Sequence, residues 1–166
     1  MQVNSKTSVL FVCMGNICRS PTAHGVMQDL VNRNGMQDLI DIESAGTHAY
    51  HVGEQSDVRS RALARTMGID MEYIRAQKIS VRDYDQYDYI LAMDQDNLEL
   101  INYYAPENYT ANITLFLSFA NTAGLTSQIV VPDPYYGGDD GFEQVFQLIN
   151  IGCEALLTEI NVTEID

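Results

Sequence analysis

The chain has 166 residues, of which 46% are hydrophobic and 19% charged, which excludes a disordered protein and fits a single domain with its own core. Its net charge of −14, from 9 basic and 23 acidic residues, excludes nucleic acid as a general partner because binding to phosphates needs a basic face. Since no apolar run approaches ~20 residues, the sequence predicts no membrane insertion.

The predicted elements alternate between strands and helices. The first strand, over 7–13, is a short apolar run typical of a strand buried on both faces. The first helix begins at Ser20-Pro21, where Ser20 can cap it, and ends at Asn34-Gly35. Further strands are predicted over 39–45, 88–93 and 113–117, and further helices over 56–67, from Asp94 and from Asp139. This alternation predicts an α/β fold, a parallel sheet with helices on both faces.

Three of these helices have a predicted apolar stripe, which in the first helix consists of Ala23, Val26, Met27, Leu30 and Val31. In the helix over 56–67 the stripe consists of Val58, Ala62, Leu63 and Met67. In the last helix it consists of Phe142, Phe146, Ile149, Cys153, Leu156 and Ile160. Cys153 lies on this stripe, so we interpret it as a core thiol.

The cysteines and the chain ends predict a cytoplasmic protein. The chain has three cysteines, an odd and small number that does not favour a disulfide scaffold. The first residues are not predicted to form a signal peptide, because their short apolar stretch runs directly into Gly15 and Asn16. One domain is expected over 1–166, with loose ends at 1–6 and 162–166.

The segment from Cys13 to Pro21, CMGNICRSP, connects the first strand to the first helix. Anions bind at such places in open α/β folds, where a strand ends and a helix begins. Successive backbone N–H groups can surround the anion, and Gly15 and Asn16 suit a backbone at positive φ. The segment lacks the Gly-Lys-Ser/Thr ending of a Walker loop. It therefore predicts an anion site of a different kind.

Two residues of this segment predict covalent chemistry. A helix N-terminus and a nearby guanidinium stabilise a thiolate, and Cys13 and Arg19 supply the thiol and the guanidinium. Arginine can bind two phosphoryl oxygens at once, so the pair suits attack by sulfur on phosphorus. Ser20 can form a hydrogen bond with the sulfur. By itself, this spacing also fits a buried structural cysteine at the end of a strand.

A second motif is Pro132-Asp133-Pro134-Tyr135-Tyr136-Gly137-Gly138. Its two prolines stiffen the chain around one carboxylate. Cleavage of an aryl phosphate needs an acid for the leaving phenolate, which Asp133 can supply. Tyr135 and Tyr136 can form the walls of an aromatic slot. Taken alone, the motif also fits an ordinary proline-rich surface turn.

Together the two motifs resemble those of the low-molecular-weight protein tyrosine phosphatases. The family's Cys-x-Gly-Asn-x-Cys-Arg-Ser-Pro matches 13–21, and its Asp-Pro-Tyr-Tyr-Gly matches 133–137. The segments 44–47 and 91–94 also resemble family segments. The resemblance implies a four-stranded parallel sheet with a phosphate-binding loop between the first strand and the first helix. It also implies hydrolysis of phosphotyrosine and small aryl phosphates without a metal or organic cofactor.

The resemblance further implies partners and residue roles. Phosphotyrosine-containing proteins would be the substrates, with a bacterial tyrosine kinase as one candidate. Cys13 would be the nucleophile, Arg19 would bind the phosphate, and Asp133 would be the general acid and then the base for water. Ser44 would support the loop, as would Asn16 and Ser20, and Cys18 would form a reversible disulfide with Cys13 under oxidation. The predicted substrate-binding residues are Met14, Gly15, Asn16, Ile17, Cys18, Ser20, Tyr50, Tyr135 and Tyr136.

The chain departs from the family's pattern in two places. Many members have His-x-Ala-Arg-Gln where this chain has 74–78, IRAQK, so a His and an Arg of the loop-supporting network are missing. His24 stands where many members have a Glu, and we interpret it as an exposed helix residue. His48 and His51 are predicted either at the cleft entrance or as ordinary loop residues.

Two other functions stay open at this point. An arsenate reductase shares the fold and the first motif but needs two further thiols near the nucleophile, and residues 60–100 contain no cysteine. A non-catalytic phosphotyrosine-binding module would need neither Cys13 nor Asp133. Hydrolysis of a simple aryl phosphate separates the phosphatase from both alternatives.

Overall fold

Four parallel strands form the sheet: β1 (Thr7–Cys13), β2 (Ile40–Gly46), β3 (Tyr89–Ala92) and β4 (Asn112–Leu115). Their spatial order is β2-β1-β3-β4. After β1 the chain forms one neighbour, β2, and then crosses to form β3 on the other side. The computed structural model describes residues 6–134 and 139–165. Because the strands that follow β1 in the chain lie on opposite sides of it, their connections diverge and leave a crevice at the carboxyl end of β1. Ligands usually bind at this place in such sheets.

Helices cover both faces of this sheet, which confirms the predicted α/β fold. The helices are α1 (Arg19–Arg33), α2 (Val58–Thr66), α3 (Asp83–Gln86), α4 (Gln95–Tyr104), α5 (Ser118–Thr122) and α6 (Asp139–Ile165). The sequence pattern predicts the four longer helices but not α3 and α5. These two have only 4 and 5 residues, which is too short for a periodic apolar pattern.

The alternation of side chains along β1 divides the core into two layers. Val9, Phe11 and Cys13 belong to the layer between the sheet and α1 and α6. Leu10 and Val12 belong to the layer on the opposite face. Successive side chains of a strand point to opposite faces, so a strand covered on both sides must be apolar throughout, as 9–13 is. Cys13 is therefore oriented by the same alternation that builds the core.

The apolar face predicted for α6 is confirmed. All six of its predicted residues are buried. Cys153 is a free thiol within this core, and burial raises its pKa well above the ordinary value. The backbone of 162–165 continues this helix, although the sequence predicts a loose end from 162. None of the described helices is both long and apolar enough to cross a bilayer.

The apolar stripe predicted for α2 is wrong for three of its four residues, since Leu63 packs half-buried against the core but Val58, Ala62 and Met67 are exposed. Val58 and Met67 are 69% and 56% exposed, whereas Ser60 and Ala64 are buried. Asp57 caps this helix by accepting a hydrogen bond from the backbone N–H of Arg59 at 2.8 Å. The small side chains facing inward let α2 lie close to α1 and α6.

Candidate active site

The loop between β1 and α1 has the geometry of an anion site. Asn16 has a φ of 57°, in the left-handed region that the sequence predicts for this loop. The N-cap of α1 is Cys18, and no side chain caps the helix. The N–H groups of its first turn are therefore left for an anion. The predicted capping role of Ser20 is wrong, because Ser20 lies inside the first turn and its hydroxyl contacts the sulfur of Cys13.

Polar groups of the loop surround the buried sulfur of Cys13. Its Sγ lies 3.0 Å from Ser20 Oγ and accepts a hydrogen bond from the backbone N–H of Asn16 at 3.3 Å. The Nδ2 of Asn16 donates to Ser20 Oγ at 2.8 Å. Hydrogen bonds of this kind favour a sulfur that carries negative charge. Asn16 and Ser20 are both buried.

Arg19 is buried at the start of α1 and is held by neighbouring segments. Its Nη1 donates to Asp94 Oδ2 at 2.5 Å and to the carbonyl oxygen of Val131 at 3.0 Å, and its Nη2 lies 3.7 Å from Asp133 Oδ2. Burial alone would lower its pKa, but Cys13, Asp94 and Asp133 together raise it. The guanidinium is therefore charged and oriented before any ligand binds.

Asp94 is a site residue that the sequence analysis does not identify. It caps α4 by accepting a hydrogen bond from the backbone N–H of Asn97 at 2.8 Å, and its other carboxylate oxygen binds Arg19. One signal points to it. Asp94 follows the end of β3, which is the neighbour of β1, and parallel strands end at the same edge of a sheet.

Asp133 lies at the same edge of the sheet. The backbone N–H of Val131 donates to the carbonyl oxygen of Met93 at 2.8 Å, which ties this segment to the end of β3. The carboxylate of Asp133 is partly exposed and faces Arg19. Tyr135 and Tyr136, the predicted aromatic walls, lie outside the described residues.

These groups surround one cavity of about 230 Å³. The cavity is lined by Cys13, Met14, Gly15, Ile17, Cys18, Arg19, Tyr50, His51 and Asp133. Tyr50 is exposed at the rim and stacks on His48, with ring centroids 5.2 Å apart. His51 Nδ1 forms a hydrogen bond with Glu54 Oε2. The structure thus brings together eight of the predicted site residues, Tyr50 among them, and adds His51 to the lining.

Gln77 supports the loop where the family's His and Arg are missing. Its backbone N–H donates to Asn16 Oδ1 at 2.9 Å, and its Nε2 donates to the carbonyl oxygen of Ser44 at 2.9 Å. Its own carbonyl oxygen accepts from the N–H of Gly46 at 2.7 Å. Gln77 therefore holds both the loop and the end of β2.

Gly46 allows the loop to lie directly against β2. A Cβ at this position would lie 2.8 Å from the carbonyl oxygen of Met14 and 3.2 Å from the backbone nitrogen of Asn16. Both neighbours are backbone atoms of the loop and cannot rotate away. Only a glycine at the end of β2 leaves the loop in this place.

His24 is buried, so its interpretation as an exposed helix residue is wrong. It is 5% exposed, and its Nδ1 lies 3.0 Å from the hydroxyl of Ser44. Burial lowers its pKa from 6.5 to about 4. The sequence around a polar helix residue does not show whether its side chain faces solvent or a buried polar partner. The partner of His24 is 20 residues away on another element.

Acid should destabilise the protein through His24. The pKa is lower in the folded chain than in the unfolded chain, so the unfolded chain binds more protons between pH 6.5 and 4. We expect this residue to reduce the free energy of unfolding by about 3 kcal/mol as the pH falls through that window. Urea unfolding at several pH values should show a shallower decline for His24→Asn. The matched variant is His48→Asn, and equal slopes for His24→Asn and the unmodified protein would contradict the assignment.

Cys18 lines the cavity as a protonated thiol. Burial, together with the charges of Asp57, Cys13 and Asp133, raises its pKa to about 12, against a smaller lowering by a hydrogen bond with Ser60. Cys13 and Cys18 are both free in the structure. Among the residues that the structure describes, no group of three or more His, Cys, Asp or Glu side chains is arranged to hold a metal ion.

Comparison with known proteins agrees with this geometry. A family model described as "Low molecular weight phosphotyrosine protein phosphatase" matches residues 8–164. The low molecular weight protein-tyrosine-phosphatase YfkJ of Bacillus subtilis is 40% identical, over 92% of this chain and 95% of the relative. A low molecular weight phosphotyrosine protein phosphatase of Schizosaccharomyces pombe is 42% identical, over 86% of this chain and 90% of the relative. The crystal structure of YfkJ matches with a TM-score of 0.88 at 38% identity, over 96% of this chain and 97% of that structure.

Proposed function

The chain belongs to the low-molecular-weight phosphotyrosine protein phosphatase family and is a protein tyrosine phosphatase, and from this premise we propose a mechanism through a cysteinyl-phosphate intermediate. One observation carries the proposal. A sulfur that accepts hydrogen bonds, a fixed guanidinium and a partly exposed carboxylate meet in one cavity at a helix N-terminus. Nucleophile, anion clamp and proton donor are the groups that such a reaction needs.

In the first step the thiolate of Cys13 attacks phosphorus. The phosphoryl oxygens are bound by the N–H groups of the loop and by the guanidinium of Arg19, which stabilise the charge spread over them in the transition state. The sulfur–phosphorus bond forms while the bond from phosphorus to the phenolic oxygen breaks. The hydrogen bond with Ser20 stabilises Cys13 as the sulfur that later leaves.

Asp133 donates a proton in the first step and accepts one in the second. As an acid it gives its proton to the departing phenolate, and as a base it takes a proton from the water that attacks the phosphocysteine. The second step breaks the sulfur–phosphorus bond, releases inorganic phosphate and restores the thiolate. The carboxylate oxygen Oδ2 of Asp133 lies 3.7 Å from Arg19 Nη2. Since Arg19 would bind the phosphoryl group, this proximity supports the role of Asp133 as the proton donor beside it.

The substrate class follows from the walls of the cavity. Met14, Tyr50 and His51 surround the entrance with apolar and aromatic surface, which suits the ring of a phosphotyrosine. Phosphotyrosine-containing proteins are the proposed substrates. A bacterial tyrosine kinase, inferred from the resemblance alone, stays a prediction.

Hydrolysis assays test the proposed function. We expect release of phosphate from p-nitrophenyl phosphate and from a phosphotyrosyl peptide, and little release from the matching phosphoseryl peptide, because a short side chain would not bring its phosphate to Cys13. A non-catalytic binding module would retain the phosphotyrosyl peptide without hydrolysing it. Thiol-dependent arsenate reduction without aryl phosphate turnover would favour the reductase. The described part of the chain offers Cys18 as the one further thiol at the cavity, since Cys153 is buried in the core.

Peroxide should inactivate the enzyme reversibly through Cys18. Hydrogen peroxide would oxidise the Cys13 thiolate to a sulfenic acid, and the Cys18 thiol would then displace water to form a disulfide. The raised pKa of Cys18 makes this trapping slow, so recovery is measured over a series of exposure times that extends until an untrapped sulfenic acid is oxidised irreversibly. We expect a thiol reductant to restore most activity of the unmodified protein and much less of Cys18→Ser. Equal recovery of both proteins would remove Cys18 from redox protection.

A further inference from the structure

One buried polar contact behind the loop has no part in the proposed mechanism. The Nδ1 of His24, on α1, and the Oγ of Ser44, on β2, are 3.0 Å apart. Ser44 is 1% exposed, and the ring of Tyr73 covers His24 edge-on with centroids 5.6 Å apart. The contact therefore joins a helix to a strand where water has little access.

This contact and the sulfur of Cys13 lie along one face of α1. His24 is four residues after Ser20, so the two side chains lie one above the other on the helix. Ser20 Oγ contacts Cys13 Sγ and the carbonyl oxygen of Ala45, at 3.0 and 3.4 Å. Two polar contacts one turn apart thus fix the rotation of α1 about its axis and its position along β2.

Ser44 is also connected to the loop through Gln77. Its carbonyl oxygen accepts from Gln77 Nε2, and the backbone N–H of Gln77 donates to Asn16 Oδ1. Hydrogen bonds of side-chain and backbone groups therefore connect, residue by residue, His24, Ser44, Gln77, Asn16, Ser20 and Cys13. A shift of α1 relative to β2 would therefore displace the hydrogen-bonding groups at both ends of the loop.

The surroundings indicate that this pair contributes position more than stability. The neighbours Ala23, Val26 and Met27 on α1 are buried and apolar, so an apolar side chain would avoid the cost of burying an imidazole. A buried polar pair that is fully hydrogen-bonded favours one arrangement of its elements over others. We propose that His24, through Ser44, is a positioning residue that holds α1 so that Arg19, Ser20 and Asn16 keep the phosphate-binding geometry. This proposal rests on the proposed function of the loop.

Two variants of His24 separate position from packing. His24→Asn keeps an amide group near the place of Nδ1 and should preserve the contact with Ser44, whereas His24→Leu fills the space without it. Titration calorimetry with inorganic phosphate measures the loop directly. Alkylation of Cys13 by iodoacetate, followed by peptide mass spectrometry, reports the accessible thiolate. Neither measurement requires turnover, so both stay informative if the unmodified protein does not hydrolyse aryl phosphates, the result that would overturn the proposed function itself.

For His24→Leu we expect phosphate binding and Cys13 alkylation to weaken by about tenfold, as for the loss of one buried hydrogen bond. His24→Asn should stay within about threefold of the unmodified protein. Ser44→Ala removes the same contact by deleting one oxygen, so it tests the proposal even if His24→Leu does not fold. In the double variant the two losses should not add, because they remove one interaction.

Val31→Ala is the matched control for a general loss of stability. Val31 is buried on α1, like His24, but lies near the other end of the helix and belongs to the apolar core. This variant should lower the midpoint of unfolding without weakening phosphate binding. If His24→Leu and Ser44→Ala weaken phosphate binding no more than Val31→Ala, or if their effects add in the double variant, the positioning role is overturned.

Discussion

Cys13→Ser is expected to abolish the turnover of aryl phosphates while leaving phosphate binding nearly intact. A serine hydroxyl does not ionise at neutral pH, so no attacking anion forms at this position. We expect kcat to fall by about 10⁴-fold or more, as for the loss of the nucleophile in other covalent mechanisms. The N–H groups of the loop and Arg19 are unchanged in this variant. Inorganic phosphate and a phosphotyrosyl peptide should therefore still bind.

The experiment combines steady-state kinetics with titration calorimetry of the same preparation. Cys153→Ala is the matched control because it removes a thiol from the core, away from the cavity. It should retain turnover with at most a modest loss of stability. Substantial hydrolysis by Cys13→Ser would show that another group attacks phosphorus. Loss of phosphate binding along with turnover would mean that the variant has lost the loop and not only the nucleophile.

Asp133→Asn is expected to lower the rate by about 10²–10⁴ on phenyl phosphate, because the phenolate must then leave without a proton. A substrate with a much more acidic phenol, such as p-nitrophenyl phosphate, should lose far less. Arg19 keeps its hydrogen bonds to Asp94 and to the carbonyl oxygen of Val131. The phosphate clamp should therefore survive, and KM should change little.

A series of aryl phosphates with graded leaving groups provides the measurement. The logarithm of kcat/KM should depend more steeply on the pKa of the leaving phenol in the variant than in the unmodified protein. Asp140→Asn is the matched control, since Asp140 is exposed on the first turn of α6 and should leave the slope unchanged. An equal loss on good and poor leaving groups would mean that Asp133 is not the proton donor.

The loop's support differs in this chain from the pattern of many family members. Ile74 and Gln77 stand where many family members have a histidine and an arginine after α2. Asn16 still has a hydrogen-bond partner there, because the backbone N–H of Gln77 donates to its Oδ1. A backbone donor does not depend on the side chain that carries it. The missing residues therefore remove side-chain contacts without leaving the loop unsupported on that side.

Local patterns of residues predict the parts of this protein that depend on neighbours along the chain. The apolar run over 7–13 and the periodic apolar face of α6 specify buried elements, because strand and helix each have a fixed side-chain period. The loop from Cys13 to Pro21 is equally local, since a strand end, a residue at positive φ and a helix start occupy nine consecutive positions. These patterns sufficed for the predicted fold class and for Cys13 and Arg19 as candidates.

The distant groups that contact this loop are selected by the packing of the folded chain. Asp94 binds Arg19 from 75 residues away, Gln77 binds Asn16 from 61 residues away, and His24 is buried against Ser44. Nothing periodic marks such residues, because each contact arises from the order of the strands and from the distance between elements. The same reason explains the error in the stripe of α2, where packing against α1 and α6 buries Ser60 and Ala64 and leaves Val58 and Met67 exposed. Local patterns specify elements, whereas the packing of those elements selects the partners of buried polar side chains.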